Sequence, residues 1–106
     1  MISFEQFKEV ELKVGEVMEA EPIEGSEKLL KLKVSLGSQE RQIIAGIAKK
    51  YTREELIGRQ IILVVNLEPK EMMGEESQGM LLAADTPEGP VFLTTERPAP
   101  PGTSVR

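Results

Sequence analysis

The clearest signal in the chain is an alternation. Leu30, Leu32, Val34 and Leu36 are apolar, while Lys31, Lys33 and Ser35 between them are polar. A period of two places the four apolar side chains on one face of a strand. Leu12 and Val14, separated by Lys13, begin an earlier strand. Gly15 falls where that spacing slips, because Val17 follows Val14 by three, so a bulge or bend is expected at the glycine. Gly37-Ser38 predicts a hairpin turn into a third strand over Arg41 to Ile47. Arg59 to Leu67 is a nearly continuous β-rich run, IILVVNL, the pattern of a strand covered on both faces. Met80 to Ala84 reads as a further strand, followed by a turn at Thr86-Pro87-Glu88-Gly89 and a short return strand, Val91 to Leu93.

Two short helices are marked by their first turns. Ser3 followed by Gln6, and Thr52 followed by Glu55, are capping boxes. The first predicts a helix to about Val10 with Phe4 and Phe7 on one side; the second predicts a helix closed by Gly58. Glu21 to Glu27 is a loop carrying Pro22 and Gly25, and the tail is extended, its φ angles set at Pro98, Pro100 and Pro101. Five strands around one small core, with a helix between the third and fourth, make an all-β OB-fold barrel with a C-terminal extension. Residues 1–106 read as a single domain.

Composition narrows the chemistry. The chain has no cysteine and no histidine, which removes disulfides, thiolate nucleophiles and the commonest general base. No enzyme activity, metal or cofactor is expected. The longest strongly apolar run, Ile61 to Val65, is too short to cross a bilayer, and the charged N-terminus lacks the apolar region of a signal peptide. A cytoplasmic protein without a membrane partner is the expectation.

The net charge is −5, which by itself disfavours a polyanion ligand. Its distribution changes that picture. Residues 1–27 carry eight Glu against Lys8 and Lys13, residues 28–59 have a net charge of +5, and residues 60–106 a net charge of −4. The basic segment includes Lys31, Lys33, Arg41 and Lys49. Lys31 and Lys33 share the outward face of the second strand, where an OB barrel binds oligonucleotides. Two readings stay open for them: phosphate contacts, or a solvated face balanced by Glu elsewhere. Lys70 is the best basic candidate outside this segment. Ser77 and Gln78 can hydrogen-bond phosphate or ribose, Gly79 permits a close backbone approach, and Met80 can lie against a base or sugar. The alternative is a polar turn with a core methionine. Met72 and Met73 read as loop anchors. Leu81, Leu82, Val91, Phe92 and Leu93 read mainly as core, with a dimer contact as the alternative. None of the four aromatics (Phe4, Phe7, Tyr51, Phe92) falls on the outward face of strands two and three, which argues against stacking of single-stranded bases.

The runs EGSEKLLKLKVSLG and RQIIAGIAKKYTREELIGRQIILVVNLEPKEMMGEESQGMLLAA resemble the tRNA-binding domain of the EMAP II type, and the resemblance extends from Phe4 to about Val105. That family includes the C-terminal domain of bacterial methionyl-tRNA synthetase, free-standing dimeric tRNA-binding proteins, and relatives linked to protein export. The resemblance implies non-catalytic binding to the corner of folded tRNA, as a homodimer, auxiliary to a methionyl-tRNA synthetase catalytic domain. It places Ser77 and Met80 at positions implicated in tRNA binding, and Asn66 on the RNA face. Read from its position alone, Asn66 is a strand-end residue that satisfies loop backbone. Glu68 and Glu71 stand where relatives often carry basic residues, which weakens phosphate attraction. An export-related peptide-binding chaperone, or mainly a dimerisation module, is the alternative.

Overall fold

The computed structural model describes residues 1–106. Its longest element, β1 (Leu12–Pro22), runs through the whole barrel. Residues 12–16 of β1 pair with β4 (Gln60–Val64), and residues 16–22 pair with β2 (Leu30–Ser35). β2 continues the antiparallel sheet to β3 (Glu40–Ala45), and β4 pairs at its far end with β7 (Met80–Leu81). The order β3-β2-β1-β4-β7 curls into a nearly closed, OB-like barrel, with α2 (Arg53–Leu56) between β3 and β4. The inward faces supply the core: Val17, Leu32, Val34, Ile43, Leu56, Ile61 and Leu63 are almost wholly buried. At about 25 cal/mol per Å² of apolar surface, these side chains are the main stabilising contribution.

Both capping boxes form. Ser3 caps α1 (Phe4–Lys8) through Gln6, and Thr52 caps α2 through Glu55. Hydrogen bonds from the backbone and then the hydroxyl of Thr52 hold the Glu55 carboxyl below its ordinary value. α1 buries none of its residues, and it ends at Lys8, two residues short of the predicted limit. β3 likewise ends at Ala45, where the chain turns towards α2.

The bulge in β1 lies at Met18, not at Gly15: the register against β2 shifts between Val17 and Glu19. Gly15 has a packing role instead, because a Cβ there would strike the Val34 side chain. The predicted strand from Met80 to Ala84 is interrupted at Leu82, whose N–H donates to the Ile62 carbonyl at 3.0 Å. Its second part is β8 (Ala83–Thr86), which forms a hairpin with β9 (Gly89–Phe92). The segment between Leu67 and Gly79, which carries no hydrophobic alternation, also forms a hairpin, of β5 (Lys70–Met72) and β6 (Glu75–Ser77). Its turn residues, Met73 and Gly74, have φ of 52° and 79°, the positive pair of a type I′ two-residue hairpin.

The tail is part of the sheet. β2 leaves the edge of β1 at Glu16, and β10 (Ser104–Val105) fills that edge beside Leu12 and Lys13. Covering the edge removes unpaired backbone groups that would otherwise template another strand. The Gln60 side chain pins the approach: its Oε1 accepts from the Ala99 N–H at 3.0 Å and from the Thr95 hydroxyl at 2.7 Å. Gly102 donates to the Val14 carbonyl at 2.7 Å, has φ of +92°, and lies so close to the Leu36 carbonyl that a Cβ would collide with it. Gly102→Ala is therefore expected to destabilise the chain by about 2 kcal/mol, lowering the melting temperature by roughly 10 °C. Thermal unfolding followed by circular dichroism checks this; an unchanged melting temperature would show that the tail contributes nothing to barrel stability.

Candidate nucleic-acid interface

The barrel's remaining gap lies between β3 and β7, which share no strand ladder. Ser77 at the end of β6, Gln78 after it and Arg41 of β3 bridge it, mostly through side chains. The Ile44 N–H donates to Ser77 Oγ at 2.9 Å, and that hydroxyl donates to the Gly79 carbonyl at 3.0 Å. The Gln42 N–H donates to Gln78 Oε1 at 2.9 Å, while the Gln42 carbonyl accepts from the Gln78 N–H at 2.8 Å. Arg41 Nη1 donates to the carbonyls of Val65 at 2.7 Å and Gln78 at 3.0 Å. Gln42 and Ile44 are two residues apart, so their N–H groups leave the same edge of β3. Ser77 and Gln78 provide the acceptors that a neighbouring strand would otherwise supply. Ser77, 3% exposed, is the one buried polar residue. Gly79 makes this approach possible: its φ is 148°, and a Cβ would lie 2.7 Å from the Val64 carbonyl oxygen.

Beside this seam, a groove of about 450 Å³ opens between the β5–β6 hairpin and β7. Lys70, Ser77 and Met80 meet in it, joined by Ile44, Leu67 and Met72. Met80 is 48% exposed, so it belongs to the groove surface rather than the core. Glu68 also lines the groove and offsets the charge of Lys70; Glu71 lies outside it. Arg41 and Gln78 line an adjoining depression of about 280 Å³. Asn66 and Lys49 line neither. Asn66 is engaged elsewhere: its Oδ1 accepts from the Glu11 N–H at 2.9 Å, and its Nδ2 donates to the Glu9 carbonyl at 2.6 Å. The amide thus ties the segment after α1 to the end of β4, the backbone-satisfying role that its position suggests. Phe92 is core, Leu81 packs against the core, and Val91 and Leu93 are exposed.

Ile44 and Leu67 are groove residues that nothing in the sequence singled out, and Met72, expected as a loop anchor, lines the groove from β5. The signal for Met72 was Met73-Gly74 as a two-residue turn, but charged residues on both flanking strands hide the alternation that would have marked a hairpin.

The outward face of β2 is less basic than its sequence implies. Glu19 is the cross-strand partner of Lys33, and Glu21 of Lys31. Lys33 Nζ lies 3.6 Å from Glu19, and Lys31 Nζ lies 4.0 Å from Glu21 and 3.6 Å from Glu75. Each exposed pair contributes at most about 1 kcal/mol to stability, yet together they neutralise the stripe. The excess of Glu in residues 1–27 thus lies directly beside the basic strand.

The model of the tRNA binding domain family matches residues 12–104. The chain belongs to the tRNA binding domain family. It is 53% identical over 106 residues to the methionine–tRNA ligase of Methanothrix thermoacetophila and 44% identical over 105 residues to that of Bacillus subtilis. These matches cover 100% and 99% of this chain but only 16% of each ligase. Among solved structures, the MetRS related protein from Pyrococcus horikoshii superposes with a TM-score of 0.94 at 41% identity, covering 100% of this chain and 98% of that one. The chaperone CsaA from Bacillus anthracis superposes with a TM-score of 0.92 at 33% identity, covering 100% and 99%. No helix of this tRNA binding domain is long and apolar enough to cross a membrane.

Ser77→Ala leaves the buried Ile44 N–H without its acceptor, an expected loss of about 1–3 kcal/mol. Urea unfolding measures it; a midpoint equal to that of the parent chain would show that the seam closes without the hydroxyl.

Proposed function

We propose that this chain is a non-catalytic tRNA-binding module that recognises folded tRNA by shape and phosphate, works as a homodimer, and is auxiliary to a methionyl-tRNA synthetase catalytic domain. The observation that carries the reading is the groove joining Lys70, Ser77 and Met80 in a chain of the tRNA binding domain family. Lys70 supplies the cation, and the Met80 thioether supplies a polarizable surface for a base or sugar. Ser77, Gln78 and Arg41 hold the groove's edge through the seam, and Asn66 fixes the strand end behind it. Lys31 and Lys33 add weakly because Glu19, Glu21 and Glu75 already face them. The aromatics support a folded RNA over a single strand. Tyr51 and Phe92 pack edge to face at 4.9 Å, Phe4 and Phe7 lie on α1, and none lines the groove. Tethered to a synthetase, such a module would raise the local concentration of tRNA at the catalytic domain.

Filter binding with total tRNA and with poly-U, at about 50 mM and about 200 mM salt, tests this. Retention of tRNA but not poly-U is expected, with affinity falling roughly a hundredfold between the two salts for about four phosphate contacts. Equal binding of poly-U would exclude a folded-RNA reader. Met80→Ala should weaken tRNA binding severalfold with little change in melting temperature.

The homodimer rests on α1. Phe4 is 82% and Phe7 41% exposed, and both line an apolar cleft with Val10, Leu12 and Val105. A second copy of the chain is the proposed cover for this surface. Sedimentation equilibrium should give twice the chain mass, falling to one chain mass for Phe4→Asp combined with Phe7→Asp. A parent chain that sediments as a monomer would end the dimer reading.

A peptide-binding chaperone is the second reading, favoured by the apolar lining of the groove and by the likeness to the chaperone CsaA. Peptide binding to an apolar groove would be insensitive to salt.

A further inference from the structure

The structure divides the basic residues of segment 28–59 into two groups. Lys31 and Lys33 face Glu19, Glu21 and Glu75, Arg53 lies 3.9 Å from Glu54, and Arg41 is spent on backbone carbonyls. The other four, Lys28, Lys49, Lys50 and Arg59, have no carboxylate oxygen within the 4.0 Å that defines an ion pair.

Lys28, Lys49 and Lys50 are grouped at the turn that links β3 to α2, and Arg59, which follows α2, reaches β9 beside it. The Lys28 carbonyl accepts from the Ala48 N–H at 2.9 Å, and its side chain lies over Gly46, where a Cβ would sit 3.0 Å from Lys28 Cε. Lys49 and Lys50 follow in the same turn. The Lys50 stem lies across Gly89 of β9, where a Cβ would sit 2.6 Å from Lys50 Cε. Three residues further along β9, the Arg59 guanidinium lies 5.2 Å from the centre of the Phe92 ring. All four residues are exposed. Alkyl stems rest on glycine surfaces and a guanidinium rests on an aromatic face, which leaves the charged heads in water. Stems already held in place lose less rotamer freedom when their heads meet a ligand. The carboxylates nearest these residues along the chain include Glu27, Glu54 and Glu55, and Glu88 adjoins Gly89, over which the Lys50 stem lies. Glu55 is partly committed to its cap, accepting from the Thr52 N–H at 2.9 Å and from its hydroxyl at 3.1 Å. Arg59 adds a weaker electrostatic pull on it without forming an ion pair, which makes the three lysines the freer cations.

We propose that this surface around the β3–α2 turn, and not the Lys31–Lys33 strand face, is the main phosphate track for the bound RNA. The inference rests on the tRNA-binding reading above. An anionic backbone reaching the turn meets cations with no ion pair to break; one reaching β2 must compete with carboxylates already in place. Neutralising phosphates releases counterions, so each cation that makes a contact leaves its mark on the salt dependence.

The test uses the full chain and total tRNA, titrated by filter binding over a range of salt. Lys49→Ala with Lys50→Ala should reduce the slope of log affinity against log salt by about one to two units and weaken binding about tenfold at low salt. Lys31→Ala with Lys33→Ala should change the slope by less than about half a unit. Both pairs are on the surface, and melting temperatures confirm that each variant is folded. If the parent chain binds tRNA and the Lys49–Lys50 pair leaves the slope unchanged, this placement is wrong while the tRNA-binding reading stands. If the Lys31–Lys33 pair gives the larger change, the strand face is the track. A parent chain that retains no tRNA at any salt overturns both.

Discussion

The barrel depends on how β3 meets β7. A sheet of this size has two edges, and a closed barrel must pair them. Here the pairing is made by the Ser77 hydroxyl, the Gln78 amide and the Arg41 guanidinium, which satisfy groups that a strand ladder would otherwise satisfy. Each such bond has a modest net contribution, but leaving a buried N–H unpaired costs about 1–3 kcal/mol. The seam therefore constrains sequence tightly. Position 77 must carry a small hydroxyl, position 78 an acceptor of the right reach, and position 79 no side chain at all.

That constraint reconciles the two roles open to ESQGM. Ser77 and Gln78 make the framework, whereas Lys70 and Met80, at either side of them, present the accessible chemistry. The groove exists because the chain leaves β4, forms the β5–β6 hairpin, and returns through the seam to β7. Its geometry is inherited from barrel closure, so groove and core stability are linked through the same few residues.

Local physics made most of the fold legible in the sequence. The alternation from Leu30 to Leu36 and both capping boxes appear in the structure as written, and the aliphatic run forms β4, though the strand ends at Val64 rather than Leu67, because each depends on residues close in sequence. The misses have physical reasons. Gly15 marked a slip in spacing, but the strand bulges at Met18, within its ladder to β2, and the glycine is set by packing against Val34 instead. The β5–β6 hairpin was hidden because its strands are short and mostly charged, with little apolar periodicity. The site was less legible than the fold. Lys31 and Lys33 were identifiable as an outward pair, but their neutralisation depends on register against Glu19 and Glu21. The use of Asn66 by the backbone of Glu9 and Glu11 depends on a contact across more than fifty residues.

The position of β10 also bears on how the chain is made. During synthesis from the N-terminus, Leu12 and Lys13 emerge early, while Ser104 and Val105 follow every strand of the barrel. The edge of β1 therefore stays open while the nascent barrel assembles. An uncovered strand edge is where a neighbouring nascent chain would add its own strand. The three prolines that guide the tail back limit the conformations it must search, while Gly102 permits the turn they lead into, which shortens the interval in which chains on one message are vulnerable to one another.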